Sequence, residues 1–325
     1  MKDRTNYWLR RQVSRRTALK GTAVAGAGAA TLAIIGCGDD DDDDGGDGGG
    51  GGLLPTAQAT PTVGDQPVPG GSFSFQISSP PPSLDPYTQT SFVNAYMNGL
   101  SYSKLARFAA GVPAVAPTDF TMEPDLAQTL PEQPDASGLQ YTFKLKPAKF
   151  HNGRELTSED VSYAFDRYMN FERSVHKSTL NWVDKIETPS ADTVLIKTKA
   201  PFADAIQFLG GNLGAWISPK EHAESEEAAT KMLGSGPFIH TDYQTGVSLS
   251  FRKNPDYYDK PYPYFDEVKV FITTDTQKRV ADFSAGSVDL TWLFLPSERD
   301  QLKRQRPDAQ FEETQGIGGY IYLRT

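Results

Sequence analysis

Residues 124–168 read PDLAQTLPEQPDASGLQYTFKLKPAKFHNGRELTSEDVSYAFDRY. Within them Leu139, Tyr141, Phe143 and Leu145 alternate with Gln140, Thr142, Lys144 and Lys146. A period of two predicts a strand with one buried face. Pro147 ends it, because proline has no N–H with which to extend a ladder. Asn152-Gly153 predicts a turn, and a helix start follows. Thr157 stands at the N-cap, with Asp160 three residues on in the place of the Glu or Gln of a capping box. Leu156 and Val161 have the spacing of a hydrophobic staple across that cap. Val161, Ala164, Phe165 and Tyr168 then share one helical face. Strand, turn and capped amphipathic helix point to an α/β protein.

The same stretch resembles the signature of the family 5 extracytoplasmic solute-binding proteins, the peptide, dipeptide and nickel type binding proteins of ABC importers. Ala127, Leu130, Asp135, Tyr141-Thr142-Phe143, Leu145, Phe150, Gly153, Leu156-Thr157, Glu159-Asp160-Val161, Ala164-Phe165 and Arg167 carry the resemblance. These are core, turn and cap positions, so the motif speaks for a fold rather than for a ligand.

Downstream, residues 192–199 read as a strand, and Pro201-Phe202 resembles a helix opening of that family. Ala215-Trp216-Ile217-Ser218 leads to a short acidic helix over 221–231. Gly234-Ser235-Gly236-Pro237-Phe238 resembles a family turn; Pro237 weakens any reading of these glycines as a phosphate loop. Val247, Leu249 and Phe251 alternate, and Asn254-Pro255-Asp256-Tyr257-Tyr258 is again similar to the family. Residues 265–272 read as a strand. Residues 276–285 read as a helix stopped by Gly286. Ala285 to Leu290, AGSVDL, resembles the close of the first lobe.

Upstream, Ser72 to Ile77 alternate as a strand, and Leu84-Asp85-Pro86 matches a loop that leaves the first strand at the cleft mouth in the family. Residues 92–105 read as a helix with Val93, Tyr96, Met97 and Leu100 on one face. Residues 38–71 carry six adjacent aspartates at 39–44, a glycine run at 45–52 interrupted by Asp47, and Pro55, Pro61, Pro67 and Pro69. Such a stretch cannot build a core and reads as a self-extending spacer. Six aspartates without EF-hand spacing do not make a calcium loop. Residues 1–36 hold seven Lys or Arg and one Asp. Arg15 and Arg16, within Ser14 to Lys20, fit the twin-arginine export pattern. The apolar run 21–36 is shorter than the ~20 residues of a spanning helix. Ile34-Ile35-Gly36-Cys37 resembles a lipobox, which makes Cys37 the expected lipidation site. Cys37 is the one cysteine of the chain, so no intramolecular disulfide is available. The expected organisation is thus a twin-arginine lipoprotein signal at 1–36, a tether at 37–70 and a solute-binding body at 71–325.

The 325 residues carry a net charge of −9 with 38% hydrophobic residues and a mean hydropathy of −0.47. Residues 1–36 hold seven of the 32 basic residues and one acid, and residues 71–325 hold 25 basic and 32 acidic residues, so the folding part is acidic. That balance argues against a nucleic-acid partner, which needs a basic surface. His151, His176, His222 and His240 are scattered without metal-ligand spacing. A Gly-x-Ser-x-Gly elbow is absent. Glu159 and Asp160 sit in a first helical turn, where the macrodipole explains them. No enzymatic activity, metal or cofactor is expected.

The resemblance implies a type II periplasmic-binding-protein-like, two-lobed fold with mixed sheets and flanking helices. Residues 310–314 and 319–323 match strands that cross into a second lobe, so the chain is expected to hold only the first lobe and the start of the crossover. It implies capture of peptides or a related small solute in a cleft, delivery to ABC permease subunits, and a membrane anchor through Cys37. In the family, lobe closure around the solute presents a new surface to the permease, and the charged groups that grip peptide termini come largely from the second lobe. The candidate ligand-binding residues are Leu84, Asp85, Tyr87, Trp216, Trp292, Phe294, Tyr320 and Tyr322; core packing competes with that role for each aromatic. A secreted lipoprotein enzyme or structural protein on the same fold is the alternative, because fold alone does not fix function.

Overall fold

The computed structural model describes residues 67–109, 121–131, 135, 137–211, 214–293, 295–309 and 311, all within the compact unit Val63–Thr325. The decisive stretch folds as its sequence dictates. Strand β4 (Gln140–Lys144) buries Tyr141 and Phe143 and leaves Thr142 and Lys144 exposed. Leu139, just before it, is 37% exposed, because β4 begins one residue later than the alternation. β4 pairs antiparallel with β6 (Thr193–Thr198), and β6 with β5 (Val183–Ser190), giving the order β4-β6-β5. Helix α2 (Ser158–Asn170) packs its Val161, Ala164, Phe165 and Tyr168 with this sheet. Leu156 and Val161 are both buried in the same cluster, as a staple requires.

A second sheet has the order β1-β9-β8-β7. β1 (Ser72–Ile77) runs parallel to β9 (Glu267–Ile272), and β8 (Ser248–Lys253) is antiparallel to both β9 and β7 (Phe238–Gln244). Phe75, Ile77, Phe238, Leu249, Phe251, Val268 and Val270 form its core with Met97 and Leu100. Those two come from helix α1 (Phe92–Ser101), whose N-cap Ser91 Oγ accepts the Asn94 N–H at 3.2 Å. A short antiparallel ribbon, β2 (Ala106–Phe108) with β3 (Met122–Pro124), stands apart from both sheets.

The remaining helices are short. They are α3 (Ala205–Gly210), α4 (Lys220–Ala223), α5 (Thr276–Ser284) and α6 (Pro296–Gln305). Gly286, at φ +73°, closes α5 where its sequence places the stop. The acidic helix expected over 221–231 is instead α4 followed by a 3-10 turn, Glu226–Ala229. Ser225 breaks it by donating its N–H and hydroxyl to the His222 carbonyl at 2.9 and 2.8 Å. The Gly234–Gly236 turn has a packing reason. A Cβ at Gly234 would lie 2.1 Å from the Ser101 carbonyl oxygen, and one at Gly236 would lie 2.6 Å from the Ser101 carbonyl carbon. Only glycine lets this turn press against the end of α1, where the Gly236 N–H bonds Ser101 O at 2.9 Å.

The expectation of a first lobe cut short is corrected here. Among the described residues, three sheets and six α-helices occupy residues 72–305, and they enclose two hydrophobic clusters rather than the single core of a partial lobe. The expectation rested on likening residues 310–314 and 319–323 to the family's crossover into a second lobe, whereas the sheets are assembled from strands far apart in sequence. The proposed crossing strands at 310–314 and 319–323 lie, apart from Phe311, outside the described residues.

Candidate functional site

The two clusters meet at Trp216. Its indole belongs to the β1-β9-β8-β7 core, while its backbone is held by Tyr168 of the other core: the Trp216 N–H donates to the Tyr168 hydroxyl at 3.1 Å, and that hydroxyl donates to the Trp216 carbonyl at 3.2 Å. The preceding residue, Ala215, takes a left-handed φ of 62°, a conformation an alanine holds only when its surroundings fix it. The amine of Lys104 lies 4.3 Å from the Trp216 ring centroid and donates to the carbonyls of Gly210 and Gly211 at the end of α3. Burial pushes the Lys104 amine down to about 7, with the nearby Asp125 carboxylate opposing the shift.

Leu84 and Tyr87 are fully enclosed, Leu84 in the second cluster and Tyr87 in the first. Asp85 between them is buried and shapes the loop, accepting the Tyr87 N–H at 2.9 Å. Burial raises its carboxyl above the usual range, against the Tyr87 N–H and Arg167, whose guanidinium stands 3.9 Å away. A depression of about 360 Å³ opens here, lined by Asp85, Arg167, Phe171, Arg173 and part of the 223–229 segment. Arg167 is already engaged: it stacks 4.0 Å from the Phe171 centroid and donates to the Ala223 carbonyl at 2.8 Å. The lining holds two serines, Ser83 and Ser225, and the carboxylates Asp85, Glu224 and Glu226, with no histidine or cysteine.

Trp292 differs from these. It is half-buried and stacks on Tyr96 of α1 with ring centroids 5.1 Å apart and planes at 24°. Phe75 of β1 supports it from below at 5.5 Å. Val93, Tyr96, Leu290 and Trp292 are all partly buried and pack on the second cluster, and Leu293 beside them is also half-buried. The result is an aromatic ledge with an apolar surround at the β1 edge of the four-stranded sheet. Phe294, Tyr320 and Tyr322, with Cys37, Arg15 and Arg16, lie outside the described residues. Tyr96 was not among the candidate residues, because its sequence signal, one aromatic on an amphipathic helix face, is also that of a core residue. Among the described residues no three His, Cys, Asp or Glu side chains converge as metal ligands.

A model of the bacterial extracellular solute-binding proteins, family 5 middle, matches residues 121–325. The chain belongs to this family. It is therefore an exported protein. The di/tripeptide-binding protein 2 of Pseudomonas aeruginosa is 26% identical over 272 residues, covering 75% of this chain and 49% of that protein. The binding protein AgaA of A. tumefaciens R10, solved with agropinic acid, is 26% identical with a TM-score of 0.61, over 68% of this chain and 43% of its own. The Helicobacter pylori protein DppA, solved with the peptide STSA, shares the fold at 24% identity and a TM-score of 0.65, over 75% of this chain and 50% of its own. The chain thus spans about half the length, or less, of the relatives it matches. No helix among the described residues is long and apolar enough to cross a membrane.

Proposed function

We propose that this protein captures a small solute, with di- and tripeptides as the leading class, and delivers it to the permease of an ABC importer without chemically altering it. The half-buried Tyr96–Trp292 stack carries this reading: within a family of solute-binding proteins, it is an aromatic surface left accessible beside a well-packed sheet. Aromatic rings supply large, rigid contact area at low entropic cost and accept varied side chains. Trp292 and Tyr96 form one wall of the site, packed on the cluster that holds Leu84 and Trp216, and Asp85 and Tyr87 are further candidates beside the Arg167 depression. Phe294, Tyr320 and Tyr322 are the further aromatic candidates. The peptide class is supported by the printed names of relatives such as the Pseudomonas protein.

The proposal extends to the N-terminal region. Arg15-Arg16 routes the chain for twin-arginine export, Cys37 carries the lipid, and residues 38–70 hold the folded body off the outer face of the cytoplasmic membrane. A lipidated N-terminal cysteine with two or more acyl chains gives stable anchoring, where one chain is marginal. The solute reading is tested by calorimetry with a pool of defined di- and tripeptides. Trp292→Ala is expected to weaken binding about tenfold or more, the range of a central aromatic contact. Undiminished affinity in that variant would move the site elsewhere.

A further inference from the structure

The alternation of β1 puts Ser72, Ser74 and Gln76 on one face and Phe73, Phe75 and Ile77 on the other. Gln76 belongs to the polar set, yet it is fully buried. Its Nε2 donates to Asp282 Oδ2 at 2.8 Å and to Thr273 Oγ1 at 3.3 Å, and its Oε1 accepts the Thr291 hydroxyl at 3.0 Å. Both amide protons and the carbonyl are thereby used. Asp282, in α5, is in turn held by Lys278 at 2.7 Å. A continuous polar chain therefore runs from α5 through β1 into the segment that carries Trp292.

That segment has a second clamp. Ser74 donates its N–H and its hydroxyl to Asp289 Oδ2, both at 2.8 Å, and its carbonyl accepts the N–H groups of Asp289 and Leu290 at 3.0 and 3.2 Å. Phe75 and Leu290 form a parallel bridge between the two clamps. Residues 289–291 are thus laid along the edge of β1, fixed at one end by Asp289 and at the other by Thr291. Trp292 is the next residue. A leucine at position 76 would spare the desolvation of an amide but would take a partner from Thr273, Asp282 and Thr291. A buried amide is worth its desolvation only when every partner is in place, so it selects one arrangement of its neighbours.

We propose that Gln76 is a positioning residue for the solute site: through the Thr291 hydroxyl it sets the Trp292 half of the Tyr96–Trp292 ledge. This rests on the reading of that ledge as the solute wall. Thr291 isolates the link, because Thr291→Val removes the hydroxyl while leaving Gln76 its bonds to Asp282 and Thr273. Thr291→Ser retains the hydroxyl and serves as the rescue.

The experiment uses the whole chain and reads acrylamide quenching of Trp292, taken as the signal lost in Trp292→Phe, together with affinity for a pool of defined di- and tripeptides. Thr291→Val and Gln76→Leu are expected to raise quenching of Trp292 and to weaken peptide binding about 3- to 10-fold, the worth of one hydrogen bond. Thr291→Ser is expected to match the wild type in both, and the double variant to be no worse than the worse single. Quenching in Thr291→Val equal to the wild type overturns the proposal whatever the affinity. Raised quenching with unchanged affinity in a wild type that binds also overturns it, because the ledge would move without consequence. A wild type that binds no member of the pool sinks the solute reading instead, and the quenching arm alone then decides whether Gln76 positions Trp292.

Discussion

The four histidines are all spent on the backbone. His151 Nε2 lies 3.0 Å from the Gly236 carbonyl, His176 Nε2 3.1 Å from that of Pro86, and His222 Nε2 2.9 Å from that of Lys231, while His240 Nδ1 accepts the Met232 N–H at 3.2 Å. Burial lowers His151 and His240 to about 4 and also lowers His222. An unfolded histidine titrates near 6.5, so between about 6.5 and 4 the unfolded chain binds the extra protons and stability falls as the pH falls. The loss is on the order of 2–3 kcal/mol for each of the two strongly shifted rings. Urea midpoints measured from pH 7 to pH 4 are expected to drop, and His151→Gln with His240→Gln is expected to flatten the slope. A slope unchanged by both substitutions would assign it to other groups. Lys104 works in a separate window: with a folded value near 7 and an unfolded one near 10.4, its share of stability rises with pH across that interval.

Helix α2 shows what a local sequence signal can carry. The Asp160 carboxylate accepts the Thr157 N–H at 2.9 Å, the Thr157 hydroxyl at 3.2 Å and the Arg154 guanidinium at 2.6 and 3.1 Å. Arg154 also reaches Glu221 of α4 at 2.8 Å. Asp160, not Thr157, is thus the hub of the cap. Asp160→Ala is expected to cost about 1–3 kcal/mol through the lost cap and the partners left unmet, with a smaller loss for Thr157→Ala. The partly exposed Arg154 pair adds little of this by itself. An Asp160→Ala midpoint in urea equal to the wild type would show that the cap is idle. Strand, turn, staple and cap were readable here because each depends on residues within a few positions of one another. Gln76 was not, since an alternating strand assigns its polar face to solvent, and only the packing of α5 and the Thr291 segment over that face buries it. The candidate site fared likewise: the family resemblance and aromatic character single out Leu84, Tyr87, Trp216 and Trp292, but separating three buried side chains from one on a ledge takes the tertiary fold.

For the whole molecule, the N-terminal proposal has its own test. Replacing Arg15 and Arg16 by lysine is expected to abolish export, and Cys37→Ser to abolish labelling by a palmitate analogue; export of the lysine pair by the twin-arginine route, or label persisting in the serine variant, would refute the respective part. The order of strands is the feature of the fold that no local motif could reveal, because β1 finds its partner only at the far end of the described body, with Ser72 opposite Glu267 and Ile77 opposite Ile272. That pairing gives the sheet a high contact order, and closure of such long loops is slow. On the ribosome, β1 emerges early and waits unpaired while β7, β8 and β9 are made. Phe73, Phe75 and Ile77 are then open to other chains, the condition in which nascent proteins aggregate. The ledge inherits the same timing: Trp292 docks on Phe75, so the surface proposed to meet the solute forms only once β1 has waited through the synthesis of more than two hundred residues, on the order of ten seconds or more at ribosomal rates.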